Sequence, residues 1–403
     1  MKSVWGLFLV LLFFLGFFGF QYIPLFGIRF FSILLLIILY FKGSKVKGKY
    51  NFANSIYILM IFLFINMLSC SCFRSQSISS SFRNEYINYY ILFVYFIFRR
   101  YQINISKIEK ALIYLNILFC MCYIWQFLNP NIPAFVSSDV TEAVRESDLQ
   151  QRFRFCGQAI LTLGLFLAVN KMIISKNKIY LIVIIPSLIC TLLLGFRSLT
   201  LALLLSLLVL VVKIKGVKKE LLYYIIFFSL CLVLFYISPW GERVFSEMME
   251  RQESQTINNQ DYIRMINLDY HLHHFFSSPL EMFLGAGIPV ITDNETSSYG
   301  KMISDLQLHG IIYQDWGLLG YSWILGIVPI LCIMFYCIKA FLLKVPKEYM
   351  YLGVWLLFLV ISSFATAEIF RPGSPFMQMV VLAIIDQVII NLKNKENETV
   401  SCV

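Results

Sequence analysis

The sequence predicts an all-α polytopic membrane protein with about twelve transmembrane helices and both termini cytoplasmic. Three observations carry that expectation. The 403-residue chain is 59% hydrophobic with 14% charged side chains and a mean hydropathy of +0.75, well above the roughly half apolar content of a soluble domain. Its apolar residues fall into runs of near membrane-spanning length. Its cations are sorted by type, lysine between one set of runs and arginine between the other. The whole chain, 1–403, is read as one transmembrane domain.

The expected runs lie at 4–20, 25–41, 52–69, 87–98, 111–128, 157–170, 179–194, 199–212, 221–237, 317–338, 349–366 and 376–392. The first, MKSVWGLFLVLLFFLGFFGF, has the charged start and apolar core of a signal peptide. It lacks an A-x-A-like cleavage site and a second run follows at once, so it is read as a retained first helix. Positive charge stays on the cytoplasmic side of a membrane. With the N-terminus inside, the inner segments hold Lys42 to Lys49, Arg99, Arg100, Lys107, Lys110, Lys171 to Lys178, Lys213 to Lys219, Lys339 to Lys347, Lys393 and Lys395. Every inner loop is then basic.

The outer cations are almost all arginine: Arg29, Arg74, Arg83, Arg145, Arg152, Arg154, Arg197, Arg243, Arg251, Arg264 and Arg371. A topology signal needs only charge, and lysine supplies it. A guanidinium fork binds carboxylate or phosphate through paired hydrogen bonds and stays charged when partly buried. An arginine-rich outer face therefore points to an anionic ligand such as a diphosphate. Local pairing with the acids of the same loops is the plain alternative. Arg371 in ATAEIFRPGSP has Glu368 one turn away as an expected partner, and Arg197 sits in the tight turn LLLGFRSLT.

Two outer segments are long enough to carry chemistry. The loop at 129–156 opens on a Pro-rich turn and ends with Arg152 and Arg154 before the run at Gly157. The large loop at 238–316 holds all four histidines. Within it, DYIRMINLDYHLHHFF reads as an amphipathic helix, with Arg264, Leu268, His271 and Phe275 at helical spacing. SSPL then breaks the helix, FLGAGIP is a glycine turn, and Gly317 and Gly320 return the chain to the membrane at a spacing suited to close packing.

Several motifs are absent or incomplete. His271, His273 and His274 are not accompanied by HExxH or an obvious third ligand, so an interfacial helix is expected rather than a metal site. No Walker A sequence is present, and Gly285-Ala286-Gly287 lacks the context of a nucleotide fingerprint. Asp386 is the only clear charge within a run, which argues against ion-coupled transport. The ten cysteines form no CxxC and lie mostly in apolar runs, where a thiol is a small hydrophobe.

With these residues laid out, the chain resembles the superfamily of O-antigen polymerases (Wzy) and O-antigen ligases. Four segments carry the resemblance over roughly residues 150–325. RFRFCGQAILTLGLFLAVN is similar to the family's R-x-x-G opening of a span, here Arg154 to Gly157. LLGFRSLTLALLL resembles its short turn with a small residue beside arginine, here Arg197 and Ser198. RMINLDYHLHHFFSSPLEMFLGAG resembles its arginine, helix, Pro-Leu and Gly-x-Gly arrangement. LHGIIYQDWGLLG resembles its histidine followed by Gly-Leu-Leu-Gly, with Gly310 where the family has a polar residue.

The resemblance implies a GT-C-like membrane glycosyltransferase of the bacterial cytoplasmic (inner) membrane that builds lipopolysaccharide or another surface polysaccharide. It would transfer a growing glycan from undecaprenyl diphosphate onto a lipid-linked repeat unit at the outer face. His309, Arg264 and Arg197 would be catalytic. Arg152, Arg154, Arg243, Arg371, Tyr313 and Asp315 would bind diphosphate or glycan. Donor and acceptor lipid-linked oligosaccharides, membrane lipids, a flippase and a chain-length regulator would be the partners. No cofactor, metal or nucleic acid is expected. An O-antigen ligase, a flippase and a non-catalytic assembly partner are the rival readings.

Overall fold

The computed structural model describes residues 41, 50–100, 104–129, 157–216, 263–291 and 296–401. The expected runs at 4–20 and 221–237, and all but the last residue of 25–41, lie outside them. So do Arg152, Arg154 and Arg243 and nearly all of the 129–156 loop. The described residues are helical, with one isolated bridge between Ile291 and Thr296.

In chain order the helices are α1 (Ala53–Arg74), α2 (Ile78–Arg100), α3 (Ile105–Leu128), α4 (Gln158–Ser175), α5 (Leu181–Leu193), α6 (Arg197–Lys215) and α7 (Ile263–His273). They continue with α8 (Pro279–Leu284), α9 (Ser298–Leu308), α10 (Gly317–Leu325), α11 (Ile327–Leu342), α12 (Met350–Ser363) and α13 (Ser374–Ser401). Each expected run within the described residues is helical. Five helices are long and apolar enough to cross a membrane: Ala53–Arg74, Ile105–Leu128, Gln158–Ser175, Ser198–Lys215 and Ser374–Asn394. α5 and α11 are apolar but shorter.

α12 is the axis of the bundle, packed on α4, α6 and α11. Its side chains from Tyr351 to Leu356, with Phe358, Leu359 and Val360, are buried, as suits a helix apolar on every face. Trp355 Nε1 donates to Thr162 Oγ1 of α4 at 2.9 Å, a contact worth about 0.6 kcal/mol between helices in lipid. The peripheral helices turn apolar stripes outward. Ile182, Ile185 and Ile189 line α5, and Leu331, Phe335, Ile338 and Leu342 line α11. Such stripes suit a lipid surround.

The lysine-bearing helix ends meet one another. Lys171 pairs with Glu109 at 2.7 Å, Asn170 donates to the Glu348 carbonyl at 2.9 Å, and Lys213 donates to the carbonyl of Phe341. Lys339 donates to the Asn51 carbonyl at 2.6 Å. Asp386 belongs to this end of the bundle, where Asn51, Tyr95 and Arg99 surround it. A carboxylate held among a guanidinium, a phenol and an amide is a tie between helices.

One expected span is two helices. The run at 317–338 divides at Gly326, which has φ +89° and separates α10 from α11. Pro329, in the first turn of α11, reinforces the break, since it has no N–H for the Leu325 carbonyl of a continuous helix. The freed α10 carbonyls are capped from the large loop. Ala286 N donates to Trp323 O and Gly287 N to Ile324 O, both at 2.9 Å. Asn66 of α1 donates to Ile324 O at 2.8 Å and to Leu284 O at 3.0 Å, and Ser69 donates to Gly285 O at 2.8 Å.

The fit leaves no room for side chains at three glycines. A Cβ on Gly326 would overlap the Leu284 carbonyl, one on Gly285 the backbone of Gly326 and Ile324, and one on Gly287 the side chain of Cys70. The expected glycine turn is thus present, and it fills the break. The close packing expected at Gly317 and Gly320 is present as well, against the carbonyls of Ser363 and Tyr313.

Gly326→Ala should destabilise the protein by roughly 1–3 kcal/mol through left-handed strain and overlap, read as a lower unfolding temperature in lipid nanodiscs. Gly216→Ala, also at positive φ but with nothing near its Cβ, should cost less.

Candidate functional site

The turn between α12 and α13 holds the expected arginine in a built setting. Ile369 N donates to Ser363 Oγ at 2.8 Å, and Gln378 of α13 donates to the Ile369 carbonyl at 2.7 Å. Those bonds hold the 3-10 turn Glu368–Phe370 rigidly across the end of α12. Arg371 follows, ion-paired with Glu368 as the sequence suggests, its side chain 22% exposed. Burial pushes the Glu368 carboxyl up and the facing Arg371 charge opposes that shift.

The Arg371 guanidinium lies 4.8 Å from the centroid of the Phe196 ring. Phe196 precedes α6, whose first residue is Arg197 and whose first-turn amides have no side-chain cap. A helix N-terminus carries about half a positive charge and aims N–H groups outward, and no side-chain cap covers this one among the described residues. Positions 197 and 371, far apart in the chain, therefore meet at one cationic locus. Two aromatic contacts extend it. Phe370 stacks on Tyr321 at 4.0 Å and 12°, and Tyr321 meets Tyr313 edge-on at 5.6 Å. Burial, with Tyr321 nearby, raises the Tyr313 phenol, so it stays a hydrogen-bond donor. An anion bearing an apolar or ring-shaped group fits a locus that joins a fork, a helix N-terminus and aromatic faces.

The other expected site residues are placed differently. Arg264 is in the first turn of α7, and the side chains of Arg264 and Arg197 are outside the described atoms. Asp315 is half-buried in the 3-10 turn Tyr313–Trp316. His309 is exposed at the end of α9, with Nδ1 2.7 Å from Asp305 O. A carbonyl only accepts, so Nδ1 carries the proton and Nε2 keeps its lone pair in the neutral ring.

A second arginine of the outer set, Arg74, is also held by an acid. Arg74 bonds the Glu281 carboxylate and the Phe275 carbonyl, and lies over the rings of Phe275 and Tyr299. Glu281 is fully buried and also accepts from Ser277 N at 2.7 Å. Arg74 therefore pairs with an acid of a different loop, whereas pairing within one loop describes Arg371 and Glu368. Sequence offered a weak signal for Glu281, a lone acid in the apolar stretch PLEMFL.

The three clustered histidines diverge. His273 is exposed beside Asp269, whereas His271 is 1% exposed and stacks on Trp323 at 4.3 Å and 12°. Its Nδ1 lies 2.8 Å from the Asn267 carbonyl. No group of three metal-ligating residues occurs among the described residues. Comparison with family models, curated proteins and solved structures returns no match.

Burial lowers the His271 pKa from its ordinary 6.5, and the Asn267 bond opposes the shift only in part. A base whose folded-state pKa is depressed stabilises the fold above its unfolded value and loses that contribution as pH falls. Acidification below pH 6.5 should therefore lower the unfolding temperature, and His271→Phe should reduce the slope.

Breaking the other buried pair is a separate test. Arg74→Ala should cost about 3–5 kcal/mol by stranding Glu281, and Arg74→Met with Glu281→Met should recover much of it. Unfolding in nanodiscs reads both.

Proposed function

We propose that this protein is a glycosyltransferase that uses lipid-diphosphate-linked sugars, of the O-antigen polymerase type, in the bacterial cytoplasmic membrane. The observation that carries the reading is the meeting of Arg371, the Phe196 ring and the uncapped N-terminus of α6 led by Arg197. A lipid diphosphate needs that combination: fixed positive groups for the phosphates beside apolar surface for the chain. The order of the four segments that resemble the polymerase and ligase superfamily supports the same reading.

In the proposed reaction a hydroxyl oxygen of the acceptor sugar attacks the anomeric carbon of the donor. The bond from that carbon to the diphosphate oxygen breaks, and its electron pair leaves on the lipid diphosphate. Arg371, the α6 amides and Arg197 stabilise the developing charge; removing one such preorganised donor typically costs 10²–10³ in rate. His309 takes the hydroxyl proton on Nε2, the nitrogen its Asp305 bond leaves unprotonated, a step typically worth 10²–10⁴. Twelve spans with an outer active face complete the proposal.

Arg371→Ala and Arg197→Ala should abolish long-chain surface polysaccharide at unchanged membrane levels of protein. Arg371→Lys should restore little, because an ammonium lacks the fork. A gel of surface glycan reads the result. A single-repeat product in the deletion strain identifies a polymerase, long chains stranded on the carrier identify a ligase, and normal polysaccharide in the Arg371→Ala strain rejects the site.

A further inference from the structure

The large loop meets the bundle along a second polar seam, away from Arg371, between α7 and α10. Asn267 and His271 are one turn apart on the buried side of α7, at 0% and 1% exposure. Trp316 ends the 3-10 turn Tyr313–Trp316, which packs on both α7 and α10, and Trp323 lies within α10. Asn267 Nδ2 donates to the Ile312 carbonyl at 2.7 Å, which ties the α7 side to the turn that bears Trp316. His271 stacks on Trp323, and Phe275, 4.9 Å from His271, closes that end. Trp316 is half-exposed.

Three polar atoms here are buried without a hydrogen-bond partner among the described residues: Asn267 Oδ1, Trp316 Nε1 and Trp323 Nε1. Each such group costs about 1–3 kcal/mol, and their gathering on one seam needs an explanation. His271 adds another acceptor. Its Nδ1 faces a carbonyl and must donate, which leaves the Nε2 lone pair.

The set is thus two donors and two acceptors, all uncharged. A phosphate would satisfy only the donors and be repelled by the two acceptors. A metal ion would be refused by the indole N–H groups, and an apolar group would leave every atom stranded. Hydroxyls, which donate and accept at once, match both halves, and indole rings suit the faces of a sugar.

We propose that the α7–α10 seam is a saccharide subsite in which Asn267, His271, Trp316 and Trp323 hold hydroxyls of one sugar of the lipid-linked glycan. The assignment rests on the transfer reading and adds to it where the glycan, as distinct from the diphosphate, is read. It also gives α7 a task in substrate selection.

Replacing an indole N–H that has no ligand relieves a buried orphan, whereas replacing one that serves a sugar weakens binding. Trp316→Phe and Trp323→Phe keep the aromatic ring and separate those cases. Two probes are titrated against each variant in nanodiscs: lipid-linked oligosaccharide extracted from the deletion strain, and undecaprenyl diphosphate without sugar.

Trp316→Phe should unfold no lower than the wild type and Trp323→Phe somewhat lower, through the ring volume lost from a buried site, and each should bind the oligosaccharide lipid roughly five- to tenfold more weakly, the loss of one hydrogen bond. Both should bind undecaprenyl diphosphate unchanged, while Arg371→Ala weakens both probes. Oligosaccharide affinity within twofold of wild type in both variants overturns the subsite. Equal weakening of both probes with a lowered unfolding temperature overturns it too, as a packing defect. If wild-type protein binds undecaprenyl diphosphate no better than Arg371→Ala does, the transfer reading falls first.

Discussion

Backbone groups in an apolar bundle have no water to turn to, and an unpaired one costs several kcal/mol. That constraint governs the break at Gly326. The left-handed Gly326 turns the chain out of the helix, and the carbonyls of Trp323 and Ile324 must find amides elsewhere. The amides of Ala286 and Gly287, with the Asn66 side chain, provide them. The large loop is therefore fastened into the membrane domain by main-chain bonds, and three glycines let the backbones approach closely enough to make them.

Everything the loop carries is positioned from that joint. α8 runs into it and is held by Glu281 and Arg74. Gln76 of the α1–α2 connection continues the attachment, accepting from Val290 N at 3.0 Å and Ser297 Oγ at 2.7 Å. α10, the short half of the broken helix, then faces two ways. Tyr321 turns toward Phe370 and Arg371, and Trp323 turns toward His271. In the proposed function this half-helix is the wall shared by the diphosphate locus and the sugar seam, so both ends of one substrate would be referred to a single rigid element.

The electrostatics divide along the same lines. At one end of the bundle lysines bond main-chain carbonyls and the buried acid Glu109, contacts that a flexible ammonium makes well. At the other end arginines lie over aromatic rings while bonding carboxylates, Arg74 over Phe275 and Arg371 over Phe196. A planar guanidinium can do both at once. Both face buried carboxylates, Arg74 that of Glu281 and Arg371 that of Glu368, while the Arg371 side chain keeps 22% exposure against 13% for Arg74.

Composition and run length by themselves determined that the described residues are helical and that several helices suit a membrane, since apolar length is a local property. The Arg371–Glu368 pair and the glycine turn were legible for the same reason, their partners being close in sequence or demanded by glycine's freedom. The tertiary structure alone decided that Arg74 meets Glu281. It alone brought Phe196 beneath Arg371, and it alone placed His271 on Trp323 while leaving His273 exposed. Those outcomes depend on contacts between residues far apart in the chain, and a pattern of residue types does not record which distant carbonyl, ring or carboxylate will meet them.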